Sequence, residues 1–285
     1  MDGTIGTLRI TQLGEHIGAE VTGVDLRQPL DAETKAKLNQ ALLDHVALVI
    51  RDQQFTAPEY AEAVTVFGEP MMQHYSQYQS PDHPFVNFIS NQHKNDAGET
   101  VKHGASWHTD HTNHEKPPKC TVLFAVELPD NGGDTGILNT RAGFDALPDD
   151  FKQKIDGLNT INVFQGRAAL RKSTKQVIET DAKKYSDPMV QPLTRTHPET
   201  GNKAVYFHTV KVDTIEGMEP EDTSELLKDI LARINKPEFT YRHQWKMGDM
   251  LIWDNRCAMH QAFYDYDTSQ PRTLMRIILQ GDKPY

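Results

Sequence analysis

Trp107-His108-Thr109-Asp110 is the stretch on which the reading of this chain turns. It sets an imidazole and a carboxylate two residues apart. On an extended backbone, side chains at i and i+2 leave the same face, so His108 and Asp110 can converge on one cation. Such a pair holds a metal poorly without a third ligand. The best candidate is His260, at the end of Trp253-Asp254-Asn255-Arg256-Cys257-Ala258-Met259-His260. Two imidazoles and one carboxylate on one side of an ion leave its other positions open, which suits non-heme Fe(II) and oxygen. The chain holds 13 histidines, so an isolated His-x-Asp pair carries little weight. His111 and His114 are rival ligands. In an extended segment, however, His111 points to the face opposite His108 and Asp110, and His114 falls near Pro117 and Pro118 in a loop.

The rest of the sequence bounds what such a site belongs to. At 285 residues the chain is long enough to bury one large core. Its 40 acidic and 30 basic residues leave a formal net charge of −10. That balance argues against nucleic acid or an anionic membrane surface as the main partner. An anionic substrate must then be captured by a local cluster of cations. Cys120 and Cys257 are the two cysteines, and a reducing compartment is the simpler expectation. Met1-Asp2-Gly3-Thr4 shows no signal-peptide pattern, and no stretch reaches the ~20 apolar residues that span a bilayer. The expectation is a soluble, cytoplasmic protein.

Taken in order, Leu8–Ile10 and Glu20–Thr22 read as short strands. Asp31 caps a helix with Leu38, Ala41, Leu42 and His45 on one face, and Ala47–Ile50 is an apolar strand. Thr56-Ala57-Pro58-Glu59 has the form of a capping box with an early proline. It starts a helix that carries Tyr60, Val64 and Phe67 inward and stops at Gly68. Phe85–Ile89 reads as a strand, followed by a long polar loop. Beyond the metal segment, Thr121–Val126 is a buried strand, Asn131-Gly132-Gly133-Asp134 a turn, and Thr135–Leu138 the returning strand. Helices are predicted over Arg141–Leu147, Asp149–Ile155 and Pro220–Ile234. Strands are predicted over Ala204–His208, Phe239–Arg242, Met250–Trp253, Ala258–Ala262 and Thr273–Leu279. Between 165 and 192 the pattern weakens while Arg167, Arg171, Lys172, Lys175, Lys183 and Lys184 gather. A mobile flap that draws anions toward the site competes there with an ordinary solvated helix. With no repeat and no dividing linker, residues 1–285 read as a single domain, mostly β in its second half.

Four separated motifs fall in one order: Trp107-His108-Thr109-Asp110, then Gly132-Gly133-Asp134-Thr135, then Trp253-Asp254-Asn255-Arg256 with His260, then Arg272 with Arg276. With Gly18-Ala19-Glu20-Val21-Thr22-Gly23-Val24-Asp25-Leu26 and Arg51-Asp52-Gln53, the chain resembles the taurine dioxygenase family nearly end to end. That family includes the 2,4-dichlorophenoxyacetate dioxygenases. The resemblance implies a mainly β fold with some α: a double-stranded β-helix (the cupin-like jelly roll) with flanking helices. It implies Fe(II), the cosubstrate 2-oxoglutarate and O2, used to oxidise a small anionic organic substrate, and self-association into a homo-oligomer. By motif, His108, Asp110 and His260 correspond to the iron ligands. Thr135 and Arg272 correspond to the anchors of the far 2-oxoglutarate carboxylate, and Arg276 to an anchor for substrate or for the cosubstrate's inner end. His74, after Phe67-Gly68-Glu69, falls one residue from the place of a substrate-binding histidine.

Elementary chemistry agrees with these roles. A facial set of protein ligands leaves room on an octahedral ion for a chelating 2-oxoacid and for O2. The far carboxylate of that acid is a buried charge, costly if left unpaired, and an arginine fork with a threonine hydroxyl satisfies its oxygens. Arg272, Leu274 and Arg276 share one strand face, so both guanidiniums can enter the barrel. Substrate identity is less legible. Gly104 stands where taurine enzymes carry asparagine, whereas the spacing from His260 to Arg272 and Ile89-Ser90-Asn91 are closer to the phenoxyacetate group. Tyr206, Phe207, Tyr75 and Tyr78 either line an aromatic pocket or simply pack. Hydroxylation beside oxygen, sulfur or nitrogen would fragment an ether, sulfate ester, sulfonate or amine, which makes aryloxyalkanoates, alkylsulfonates and alkyl sulfates the candidate substrates. Two readings compete. One is a zinc-dependent hydrolase on the same ligands, which would not need Thr135 and Arg272. The other is a non-catalytic small-anion binding module on the same barrel.

Overall fold

The computed structural model describes residues 7–73, 76–171 and 187–285. An eight-stranded sheet gathers β1 (Arg9–Gln12), β2 (Ala19–Thr22), β3 (Ala47–Ile50), β4 (Pro70–Met71), β5 (Asn87–Ser90), β6 (Cys120–Glu127), β14 (Met250–Asp254) and β16 (Thr273–Leu279). Its order is β1-β2-β3-β14-β6-β16-β4, with β5 also paired to β16. All these pairings are antiparallel except that of β2 with β3. A three-stranded sheet faces it, in the order β13 (Thr240–His243), β7 (Thr135–Asn139), β15 (Ala258–Ala262). Two smaller sheets complete the fold. One sets β8 (Asn159–Asn162) between β12 (Val212–Ile215) and β9 (Met189–Pro192), and the other pairs β10 (Thr194–Thr196) with β11 (Lys203–Val205). This is the expected jelly roll.

The period of two along each strand divides the core. Val122, Phe124, Met250, Ile252, Met275 and Ile277 pack outward, on the helices α1 (Ala32–His45) and α2 (Ala57–Ala63). Their neighbours Leu123, Ala125, Leu251, Trp253 and Leu274 face the small sheet and meet Ile137 and Ala258. The small sheet turns Leu138 and Met259 the other way, against α3 (Thr140–Asp145), α4 (Asp149–Ile155) and α5 (Pro220–Ile234). Each such side chain contributes roughly 1.5–3 kcal/mol by leaving water. The caps are those read from sequence. Thr56 and Glu59 exchange side-chain and backbone hydrogen bonds at the start of α2, and Asp31 accepts from the Thr34 N–H at the start of α1.

Two expectations are corrected. Asn131–Asp134 does turn the chain, with Gly132 and Gly133 at φ +73° and +69°. Yet β7 does not return beside β6. Both edges of β6 are taken, by β14 and β16, so the chain crosses to the opposite sheet and β7 pairs with β13 and β15. The strand expected over Ala204–His208 ends at Val205, and His208 makes only an isolated bridge to His108. Of the stretch 165–192, residues 172–186 lie outside the described set, while Met189–Pro192 is strand β9. No helix among the described residues is long and apolar enough to cross a membrane.

Candidate metal centre and its two chambers

His108 and His260 meet through their backbones. The His108 N–H donates to the His260 carbonyl at 3.0 Å and the His260 N–H to the His108 carbonyl at 2.8 Å. A reciprocal antiparallel pair of this kind puts both side chains on the same face, and the two rings lie 4.1 Å apart centre to centre. Asp110 brings Oδ1 to 3.9 Å from His108 Nε2 and Oδ2 to 3.9 Å from His260 Nε2. All three are buried, with donor atoms within 4.8 Å of one another. The donor chemistry fits a divalent cation. His108 Nδ1 lies 2.7 Å from the Ser106 carbonyl, which can only accept, so the proton sits on Nδ1 and the Nε2 lone pair faces Asp110.

Asp110 stays ionised inside the protein. Burial alone would raise its pKa. The Arg276 guanidinium, 2.8 Å from Oδ2, outweighs burial, and the Thr121 hydroxyl donates to Oδ2 at 2.6 Å. The carboxyl is therefore held well below the usual range. Thr121 is itself oriented: Asn255 Nδ2 donates to its oxygen at 2.8 Å, and Trp253 Nε1 donates to Asn255 Oδ1 at 3.0 Å. Donors thus run one way, from Trp253 to Asp110, and fix the carboxylate. The Trp253 ring also packs on His260 at 4.4 Å. Asp254 and Arg256 point elsewhere and form a buried ion pair at 2.6 Å with His197 at 3.1 Å. His197, Asp254 and Cys257 have the donor atoms for a second metal. Arg256 already occupies that carboxylate, so the group is a structural ion cluster.

Two chambers open from the His-Asp-His group. The first is walled by Thr135, Arg272, Leu274 and Arg276 among others. Arg272 is 5% exposed, and burial pulls its pKa down. Its Nε donates to the Gly133 carbonyl at 2.6 Å, and its NH2 reaches Thr135 Oγ1 at 3.5 Å. Those contacts are neutral, so an anion is the natural complement of this guanidinium. Gly133 permits the approach, because a Cβ there would meet Arg272 Cδ and Nε at 3.0 Å. Trp245 Nε1 donates to Thr135 Oγ1 at 3.1 Å.

The second chamber shares Gly104, His108, Asp110 and Arg276 with the first and adds His111, His208 and Lys211. Here the expectation for His111 is corrected. Its φ of +50° breaks the extended alternation, so its ring swings back to the site, and Arg276 NH2 donates to His111 Nε2 at 3.2 Å. His74 and Tyr75 lie outside the described residues. Tyr206 packs beneath Arg195 at 5.2 Å, Phe207 belongs to the outer core, and Tyr78 stacks on His93 at 4.4 Å. The structure thus brings together His108, Asp110, His260, Thr135, Arg272 and Arg276. Sequence reasoning misses Thr121, Trp245, His208 and Lys211, which enter from other strands and turns with no spacing signal.

The model of the family "Taurine catabolism dioxygenase TauD, TfdA family" matches residues 9–278. The chain is 31% identical over 284 residues to an alpha-ketoglutarate-dependent sulfate ester dioxygenase of Pseudomonas putida, covering 97% of this chain and 91% of that one. It is 29% identical over 276 residues to the alpha-ketoglutarate-dependent 2,4-dichlorophenoxyacetate dioxygenase of Cupriavidus pinatubonensis, covering 93% and 94%. Among solved structures it resembles AAD-2 in complex with Mn(II) and N-oxalylglycine, with a TM-score of 0.81 at 29% identity over 98% of this chain and 99% of that one.

Proposed function

Because the chain belongs to the TauD, TfdA family of dioxygenases, we propose that it hydroxylates a small organic anion such as an alkyl sulfate, alkylsulfonate or aryloxyalkanoate. Its class is that of the family: an oxidoreductase dependent on Fe(II), 2-oxoglutarate (alpha-ketoglutarate) and O2. The relatives named for a sulfate ester and for 2,4-dichlorophenoxyacetate act on small molecules that carry a negative charge. One observation carries the reading. A buried His-Asp-His group stands between two chambers, each with a buried arginine from the same face of one strand. A zinc hydrolase has no use for the Thr135–Arg272 pair.

In this reading His108, Asp110 and His260 hold Fe(II), which with 2-oxoglutarate and O2 supplies the oxidising power for C–H hydroxylation. Arg272 and Thr135 bind the far carboxylate of 2-oxoglutarate. The Thr135 oxygen already accepts from Trp245 and Arg272, so its own hydrogen is left to donate to that carboxylate. Arg276 anchors the anionic end of the substrate and sets which carbon lies nearest the metal site. The walls hold the reacting groups in place and exclude water. Where the hydroxylated carbon bears an ester oxygen, an ether oxygen or a sulfonate, the product fragments and releases that group.

Anaerobic addition of Fe(II) and 2-oxoglutarate should give a weak visible absorption band that Asp110→Ala loses. Iron binding without a band rejects the site assignment. A screen of alkyl sulfates, alkylsulfonates and aryloxyalkanoates, read by succinate release, then tests the substrate. No stimulation by any of them rejects that part of the reading.

A further inference from the structure

Arg276, the proposed anchor for the substrate's charge, is gripped by two residues adjacent in the chain. Its Nη2 lies 2.8 Å from Asp110 Oδ2 and donates to His111 Nε2 at 3.2 Å. A guanidinium has no lone pair to offer, so the imidazole nitrogen is the acceptor in the second contact and the His111 ring there is neutral. Asp110, His111 and Arg276 are all buried in the wall of the second chamber. With Nη2 engaged by the protein, the N–H groups of Nε and Nη1 are left for a ligand.

The chain leaves its extended course to make this contact. His111 has φ +50°, in the left-handed region that is unfavourable for a residue with a Cβ. On an extended backbone the ring would leave the face opposite Asp110. The turn that follows is tied down at several points. The His114 N–H donates to the His111 carbonyl at 2.9 Å. Gln191 of β9 is buried, and its Nε2 donates to the Thr112 and His114 carbonyls at 3.1 and 2.6 Å. The His114 ring packs beside that of His111 at 5.4 Å. Strain of this kind persists where the surroundings over-determine it, and it gathers at sites that clamp ligands.

We infer that His111 is a positioning residue for Arg276: it fixes the rotation of the guanidinium plane, and so sets where and how tightly the chamber receives the charged end of a substrate. The inference rests on the substrate reading above and deepens it. Asp110 supplies charge to Arg276, but in that reading it also serves the metal, and alone it would draw the guanidinium toward the metal group. His111 accepts from the same nitrogen without adding a negative charge, so Arg276 keeps its attraction for an anion. An arginine fixed before the ligand arrives loses less side-chain freedom on binding, which is a gain in affinity. The effect belongs to the substrate, because Thr135 and Arg272 stand in the first chamber and His111 lines the second.

The test uses the anaerobic Fe(II)–2-oxoglutarate protein, titrated with hexyl sulfate, hexane-1-sulfonate and phenoxyacetate. Binding is read from the change in the visible band. Three substitutions separate aim from packing. His111→Asn suits the left-handed backbone but is too short to reach Arg276, His111→Phe keeps a ring without the acceptor, and His111→Gln keeps an acceptor at similar reach. The first two should weaken the tightest of the three anions about tenfold, within the coupling found between residues in contact, and leave 2-oxoglutarate within about threefold of wild type. His111→Gln should recover most of the loss. In an Arg276→Ala background, His111→Asn should change binding of the same anion less than about twofold. Anion binding within about threefold of wild type in His111→Asn, an undiminished loss in the Arg276→Ala background, or a parallel loss of 2-oxoglutarate overturns the inference and leaves the substrate reading standing. If Arg276→Ala itself weakens none of the anions, or if every anion in the earlier screen fails, both are overturned.

Discussion

Replacing Thr135 by valine removes one hydroxyl and almost nothing else. A hydroxyl has one hydrogen to give and two lone pairs with which to accept. Trp245 Nε1 at 3.1 Å and Arg272 NH2 at 3.5 Å point at the lone pairs. The proposed role therefore leaves a single bond to the cosubstrate at stake. A hydrogen bond to a charged group contributes about 1.5–3 kcal/mol, or roughly 10- to 150-fold in affinity. Trp245 is half-buried and can turn its N–H to water, so the protein itself should lose less than about 1 kcal/mol. The assay is an anaerobic titration of the Fe(II) protein with 2-oxoglutarate, followed by its visible band, with urea denaturation alongside. Thr135→Val should weaken 2-oxoglutarate by that factor and leave iron affinity unchanged, and Thr135→Ser should stay near wild type. A variant that is folded, binds iron and holds 2-oxoglutarate within about threefold of wild type would refute the assignment of Thr135 as a donor.

Other expectations follow from the same geometry. Gly104 has φ +63°, and a Cβ there would lie 3.3 Å from His108 Cε1. Gly104→Ala should cost about 1–2 kcal/mol and weaken Fe(II) binding in a chelator competition; no change in either speaks against the contact. Saturating Fe(II) at about 100 times its Kd should stabilise the fold by ~2.7 kcal/mol, roughly 4–5 °C in Tm. Scanning calorimetry of Asp110→Asn should show no such shift. Arg276→Ala should raise KM for the anionic substrate more than KM for 2-oxoglutarate, and the reverse result moves Arg276 to the cosubstrate. Asp254 is buried, which opposes its ionisation, but Arg256 and His197 overcome this and lower its pKa. A depressed carboxylate pKa stabilises the fold above the unfolded value of ~3.9 and loses that contribution as pH falls through the folded value. Asp254→Asn should therefore cost about 3 kcal/mol at pH 7, with the difference from wild type shrinking below about pH 4 in urea titrations. A pH-independent difference would count against the ion pair.

The strands that carry the site are legible because period-two alternation and apolar runs leave little choice. β15 and β16 have the bounds read from sequence, and the alternation on β16 puts Arg272, Leu274 and Arg276 on one face. What escaped is set by register and topology. The Asn131–Asp134 turn is a real turn, but no local signal says that both edges of β6 are occupied. Alternation puts His111 on the wrong face, because it assumes an extended backbone and a histidine at φ +50° is uncommon. Thr121 meets Asp110 only because β6 lies beside β14, which carries the tryptophan and is followed by Asn255. Lys211 is one of many lysines until the turn after β11 sets it in the wall. Four motifs in order, more than any one spacing, made the family legible.

His260 and β16 follow Asp110 by about 150 residues or more, yet one closes the His-Asp-His group and the other is an interior strand. On the ribosome, His108 and Asp110 emerge long before either. A nascent chain therefore displays an imidazole and a carboxylate with no partner strand to hold them, and its contacts of greatest sequence separation close last. In the proposed reading, iron can be held in full only once His260 has been made and paired with His108, and a truncation before β16 removes an interior strand of the large sheet.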